Sequence, residues 1–299
     1  MCGDCHAGLI PVTLVKGSYK VVGASPDGDS VRFYPDDPGV WARAGIGVKA
    51  NAVGSVQLRL DAIDALGTHY TPPHTAMPWR QPVALGDGAS QALLDLLGFT
   101  DVVRDARGYV TSSTPLTRPG YILTRFADKY GRAVAMAYPG GRRGRLPDTG
   151  SVHLEVGELH RSVNWQLLDA GWVYPTFYSK LYVDLRDDLA ATAIAARSAR
   201  RGVWAEDATL SGFSLRTRAQ LSDDLVILPK LFRRLAEYLT LDDTGRVSLA
   251  GFLPFLAAHD DRLFTVPTGQ ATSLDTLVER RGQALRLTVP PEQIIFQEG

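Results

Sequence analysis

Three short runs of β-branched and aromatic residues, VTLVKG, YKVVGA and SVRFYP, lie between Val12 and Pro35, each bounded by turn signals. Runs of this kind read as strands. Asp27-Gly28-Asp29-Ser30 makes a tight polar turn between two of them. Val56 to Ile63 is a further strand ending at Asp64, and strand-like residues return over Asp101–Val110 and Tyr121–Tyr138, with a Ser/Thr/Pro loop over Thr111–Pro119. Asp87–Leu97 reads as a short helix, with Asp87 or Ser90 as cap and Gly98 after its end. Two more helices are expected, Arg161–Ala170 stopping at Gly171 and Leu185–Arg201 stopping at Gly202. After Asp207 the pattern changes. Leu225, Leu228, Leu231, Phe232, Leu235 and Leu239 recur at helical spacing, and ALRLTVPPEQIIFQE at the end reads as one or two strands. The expected organisation is a flexible tail over 1–10, an α+β domain over 11–213 and a small α-rich domain over 214–299.

Composition narrows the function classes. A length of 299 residues allows one large domain or two ordinary ones. Lys and Arg (32) balance Asp and Glu (32), so a polyanion site must be a local patch rather than a basic coat. Both cysteines lie in the first five residues, which excludes a disulfide framework. No apolar run approaches about 18 residues, so no membrane helix or membrane partner is expected. The start lacks a basic n-region and a long apolar stretch, and a cytoplasmic location is expected.

Four short pieces carry the chemistry: Asp27-Gly28-Asp29-Ser30, Arg59-Leu60-Asp61-Ala62-Ile63-Asp64, Asp128-Lys129-Tyr130-Gly131-Arg132, and Gly202-Val203-Trp204 after a helix. In this order the chain, from about Val12 to Asp207, resembles the staphylococcal nuclease (thermonuclease-like) family. That family reads DGDT, then R-x-x-x-(V/I)-D, then DKYGR, then G-(I/V)-W. Val163-Asn164, opening a helix, also looks like the family's second helix. The resemblance implies a five-stranded OB-type β-barrel with three helices, a scaffold that often presents a face to single-stranded nucleic acid. It implies that Arg59 and Arg132 are catalytic arginines, Asp29 and Asp64 ligands of a divalent cation, calcium in the family, and Lys129 and Tyr130 substrate contacts. Those types suit phosphodiester hydrolysis. Guanidiniums grip phosphate oxygens at any working pH, and a hard cation with oxygen ligands polarises the phosphate.

One departure bears on turnover. The family follows its second Asp with T-P-E, and that Glu is its general base; here the stretch is Asp64-Ala65-Leu66-Gly67-Thr68, with Gly67 in the Glu position. Loss of a positioned base costs roughly 10²–10⁴-fold in rate. Asp61, two residues from Arg59 on the same strand face, either replaces that base, binds metal, or pairs with Arg59. His69 and His74 follow in the next loop as further substitutes or as solvated residues. Tyr178 either stacks on a base or packs inward. Two functions stay open: a divalent-metal-dependent phosphodiesterase acting on DNA or RNA, or a degenerate module that binds nucleic acid or protein. The residues from 214 on are expected to set partner choice.

Other signals carry less. Cys2-Gly-Asp-Cys5-His6 has the form of a haem or zinc motif but supplies only part of either site. Thr240–Val247 resembles a calcium loop with its first and last ligands wrong. Arg142, Arg143 and Arg145, and then Arg197, Arg200 and Arg201, are basic clusters that would guide a phosphate backbone only if they border the site.

Overall fold

Two glycines facing each other decide how the first strands curl. Gly17 pairs with Gly120, and a Cβ on Gly17 would lie 2.1 Å from the Tyr34 carbonyl oxygen. A Cβ on Gly120 would lie 2.5 Å from the Tyr138 carbonyl oxygen. Backbones this close admit no side chain, and glycine in a strand marks such a corner. The computed structural model describes residues 12–73, 75–140, 150–242 and 244–297.

The strands are β1 Val12–Tyr19, β2 Ser30–Pro35, β3 Val56–Leu60, β4 Ile63–Ala65, β5 Thr100–Arg104, β6 Val110–Thr114, β7 Arg118–Ala127, β8 Ala133–Pro139, β9 Ser151–Val152, β10 Val173–Pro175, β11 Phe177–Tyr178, β12 Phe213–Ser214, β13 Arg262–Thr265, β14 Ala271–Ser273, β15 Val278–Arg281, β16 Ala284–Leu287 and β17 Ile294–Phe296. The helices are α1 Val40–Ala44, α2 Val83–Leu97, α3 Val156–Leu159, α4 Val163–Asp169, α5 Val183–Ser198, α6 Pro229–Leu239, α7 Phe252–His259 and α8 Leu274–Leu277.

The chain divides into two compact units. The first holds the described residues up to 26, with 30–61 and 94–164; the second holds 27–29, 62–93 and 165 onward. In the first unit β2, β3, β8, β7 and β1 pair in that order, and β1 pairs back to β2 over Gly17–Tyr19, closing a five-strand barrel. All its pairings are antiparallel except β3 with β8. Alternation along β3 turns Val56, Leu58 and Leu60 inward and leaves Gln57 and Arg59 half-buried, as period 2 requires. Asn164, fully buried at the start of α4, bonds the Ala137 N–H at 3.0 Å and the Asp61 and Ala135 carbonyls at 2.9 and 3.1 Å.

In the second unit β4 pairs with β10, β11-β17-β13-β14 form a four-stranded sheet, and β12-β16-β15 form another. One apolar cluster joins Leu66, Tyr174 and Trp204 to Phe232, Phe252 and Phe296.

Several expectations change. YKVVGA is not a strand: β1 ends at Tyr19, and Gly23 turns the chain at φ 79°. The strand expected over Val56–Ile63 breaks at Asp61–Ala62, where Ala62 adopts φ 67°. Much of Thr111–Pro119, expected as loop, is β6 and β7. Residues 214–299, expected to be α-rich, carry five strands beside α6, α7 and α8, because their β runs are only three or four residues long. The tail over 1–10 with Cys2, Cys5 and His6, the cluster Arg142, Arg143 and Arg145, and His74 lie outside the described residues. Among the described residues no helix is long and apolar enough to cross a membrane.

Candidate functional site

The expected site residues fall into two sets, one in each unit. In the first unit Arg59 stands on β3 in register with Val134 of β8, and Arg132 immediately precedes β8. Both arginines therefore come from one parallel strand pair. The turn that carries Arg132 is tightly built. Asp128 Oδ1 accepts the backbone N–H groups of Tyr130 and Arg132 at 3.0 and 2.9 Å. The Arg132 carbonyl accepts the Asp128 N–H at 2.9 Å, and Gly131 takes φ 84°, which favours glycine. Arg132 Nε donates to Asp128 Oδ2 at 2.7 Å, which engages one of the five guanidinium donors.

Tyr130 leaves this turn 62% exposed. Lys129 Nζ and Arg132 Cζ each lie 5.5 Å from its ring centroid. An exposed ring with two cations beside it offers a stacking surface and phosphate donors within one turn. Asp61 is half-buried at the end of β3, in the turn that Ala62 makes, so strand alternation no longer sets its face.

The second set is built around β4. Asp64, 2% exposed, lies on β4 opposite Tyr174 of β10. Asp29, 7% exposed, accepts the Ala65 N–H on Oδ2 at 2.9 Å, which ties the DGDS turn to β4. Gly28 allows that approach: a Cβ there would meet Ala89 and Ala65 at 2.6 and 2.8 Å. The Asp29 carboxylate is thus held at the residue next to Asp64.

A guanidinium that sequence reasoning missed meets Asp64. Arg233 of α6 donates from Nη2 to Asp64 Oδ2 at 2.7 Å and from Nη1 to Asp64 Oδ1 at 3.3 Å. Burial works against the charged guanidinium, but the charge and hydrogen bonds of Asp64 outweigh it and hold Arg233 protonated; Asp29 adds a weaker attraction. The sequence held one signal. At helical spacing Arg233 shares a face with Pro229 and Ala236, both buried, and an arginine on such a face needs an anionic partner.

The neighbouring residue of α6, Phe232, lies against Gly67. A Cβ on Gly67 would meet the Phe232 ring at 3.6 Å and Gln81 Oε1 at 4.0 Å. Gln81, 1% exposed, accepts the Gly67 N–H at 3.1 Å and donates to the Ile227 carbonyl at 2.8 Å. Farther along this loop the Tyr70 hydroxyl donates to Glu237 of α6, and its ring lies 6.3 Å from that of Phe232. His69 is exposed and bonded to Thr68 at 2.8 Å. Tyr178, on β11, packs its ring 6.0 Å from Phe296 and lies within electrostatic reach of Arg233.

Calcium takes about six to eight oxygen ligands. Among the described residues no three His, Cys, Asp or Glu side chains gather around one point, and Asp64 already faces a fixed positive charge. In this structure the Asp64 carboxylate, one of the two expected ligands, is engaged by Arg233. The arginines of the second basic cluster are each bonded within the protein. Arg197 forks onto Glu292 at 2.7 and 2.5 Å, Arg201 pairs with Asp169 at 2.7 Å, and Arg200 donates to the Ala205 carbonyl at 2.8 Å.

Compared with protein-family models and with curated proteins, the chain matches none.

Proposed function

We propose that this chain is a barrel protein of nuclease type that binds single-stranded nucleic acid and does not hydrolyse it. The order of four motifs and the closed five-strand barrel support the nuclease-type scaffold. The turn from Asp128 to Arg132 supplies the grip: Tyr130 stacks on a base, while Lys129 and Arg132 take phosphate oxygens. Arg59, on the strand beside Arg132, extends it.

The observation that carries the loss of turnover is Phe232 seated against Gly67. The general-base position holds no carboxylate, and an apolar ring takes the adjacent space. In the family that the motifs resemble, this position supplies the base that activates water, and losing such a base costs roughly 10²–10⁴-fold in rate.

Fluorescence anisotropy with labelled single-stranded DNA and RNA, in chelator and then with calcium, magnesium or manganese, tests this reading, with gels run on the same samples. The expected result is binding that survives chelator and weakens with salt, and oligonucleotides that stay intact throughout. Metal-dependent cutting abolished by Arg132→Ala would establish a phosphodiesterase instead. No binding at low salt would remove nucleic acid as the partner.

A further inference from the structure

Asp64 is a carboxylate with almost no exposure to water, and a buried carboxylate is stable only beside a countercharge. That charge comes from Arg233, which sits 169 positions away in sequence and meets both carboxylate oxygens. The contact is held from several sides. Arg234, the next residue, forks onto Asp261 at 2.5 and 2.8 Å, and Lys230 reaches the same carboxylate at 2.8 Å. Arg234 also bonds Glu237 at 2.5 Å. The apolar face of α6 is buried through Leu231, Phe232, Leu235 and Leu239. The helix is thus fixed in rotation and register, and Arg233 is delivered to Asp64 by the whole element.

We infer that Arg233 is the resident cation of the Asp29–Asp64 pair, standing where the motif pattern leads one to expect a divalent metal ion. A guanidinium differs from calcium in three ways. It carries one charge, it stays attached to the chain, and it cannot be removed by a chelator. A divalent ion entering here must break a two-point charge-assisted contact and leave a guanidinium, only 29% exposed, without its carboxylate. The carboxylates are therefore structural, and divalent cations have no site on them. This inference deepens the binding reading above and rests on it only for the claim that nucleic acid is held without metal; the cation claim concerns the protein alone.

The test is made on the full chain without nucleic acid. Calcium is titrated by calorimetry, and melting temperature is followed in chelator and in about 5 mM calcium, a level above the dissociation constants of weak sites. The proteins are the wild type, Arg233→Gln, Arg233→Met and the double variant Arg233→Met with Asp64→Asn. The wild type is expected to show no saturable calcium binding and no calcium-dependent shift. The single variants are expected to melt lower in chelator and to recover on the order of 5 °C in calcium, because a ligand that binds only the folded form stabilises it. The double variant is expected to lose that recovery. Should the single variants fold only when calcium is present, the inference also stands. Saturable calcium binding by the wild type that the double variant lacks would overturn it, as would single variants that gain nothing from calcium, folded or not. A failure of the oligonucleotide experiment leaves these titrations untouched, so the two claims fail separately.

Discussion

Tyr130 is mostly exposed, with Lys129 and Arg132 beside its ring. Such a residue contributes to binding rather than to stability. Tyr130→Ala is expected to weaken single-stranded oligonucleotide binding by about 5- to 150-fold, the range that stacking of one base supports. Its melting temperature is expected to stay at the wild-type value, because an exposed aromatic surrenders little buried area. Equal losses of affinity and stability would mean that the ring organises the turn instead. At this scale most of the candidate site was legible in the sequence. Asp29, Asp64, Gly67 and the residues 128–132 stand in short motifs whose spacing is local, and local spacing survives folding. Arg233 and Phe232 were not legible, because their partners Asp64 and Gly67 are more than 160 residues away. Nothing in KLFRRL says which carboxylate its arginines will meet.

Helix α6 is the element on which the site's second set depends, and its hold can be measured by acid. Burial pushes the Asp261 carboxyl upward, but hydrogen bonds from Arg234 and the charge of Lys230 outweigh this and bring it from 3.8 to about 2. A carboxyl lowered in the folded state binds fewer protons there than in the unfolded chain at the same pH. Its contribution is therefore complete above about pH 4 and disappears as the pH falls through about 2. The shift corresponds to about 2 kcal/mol. Urea unfolding of the wild type and Asp261→Asn, compared at pH 7, 4, 3 and 2, reads this directly. The stability gap between them is expected to be flat from pH 7 to about 4 and to narrow by about 2 kcal/mol toward pH 2. A gap that stays constant to pH 2 would show that Asp261 does not anchor the helix through its charge. The periodicity announced this helix through Leu231, Phe232, Leu235 and Leu239, but Leu225 and Leu228, read with them, precede it in non-helical backbone. The strands that flank it were missed, because runs of three or four residues such as β13, β14 and β15 are too short to show alternation.

The largest scale concerns what the residues from 214 onward are for. In the sequence they read as an appendix, since the family pattern ends near Asp207 and the composition changes there. In the second unit they are part of one apolar cluster with earlier residues: Leu66 beside Gly67, Tyr174 opposite Asp64, and Trp204 of the Gly-Val-Trp motif are buried together with Phe232, Phe252 and Phe296. The β11 strand pairs in parallel with β17, near the end of the chain, and Phe213–Ser214 pairs with β16. A chain ending at 213 would lose the edge partners of β11 and β12 and uncover Leu66, Tyr174 and Trp204 at once. Burial of each such side chain is worth about 1.5–3 kcal/mol, and a whole domain has only about 5–15 kcal/mol to lose. The shortened chain is therefore expected to lack a cooperative thermal transition for these residues, to show weak near-ultraviolet circular dichroism, and to bind a hydrophobic dye that the full chain ignores. A soluble, cooperatively melting 1–213 fragment would show that the later residues are dispensable for folding. The expected failure would instead make them structural to β4 and its following loop, so that the helix which supplies Arg233 and Phe232 also completes the core beneath them.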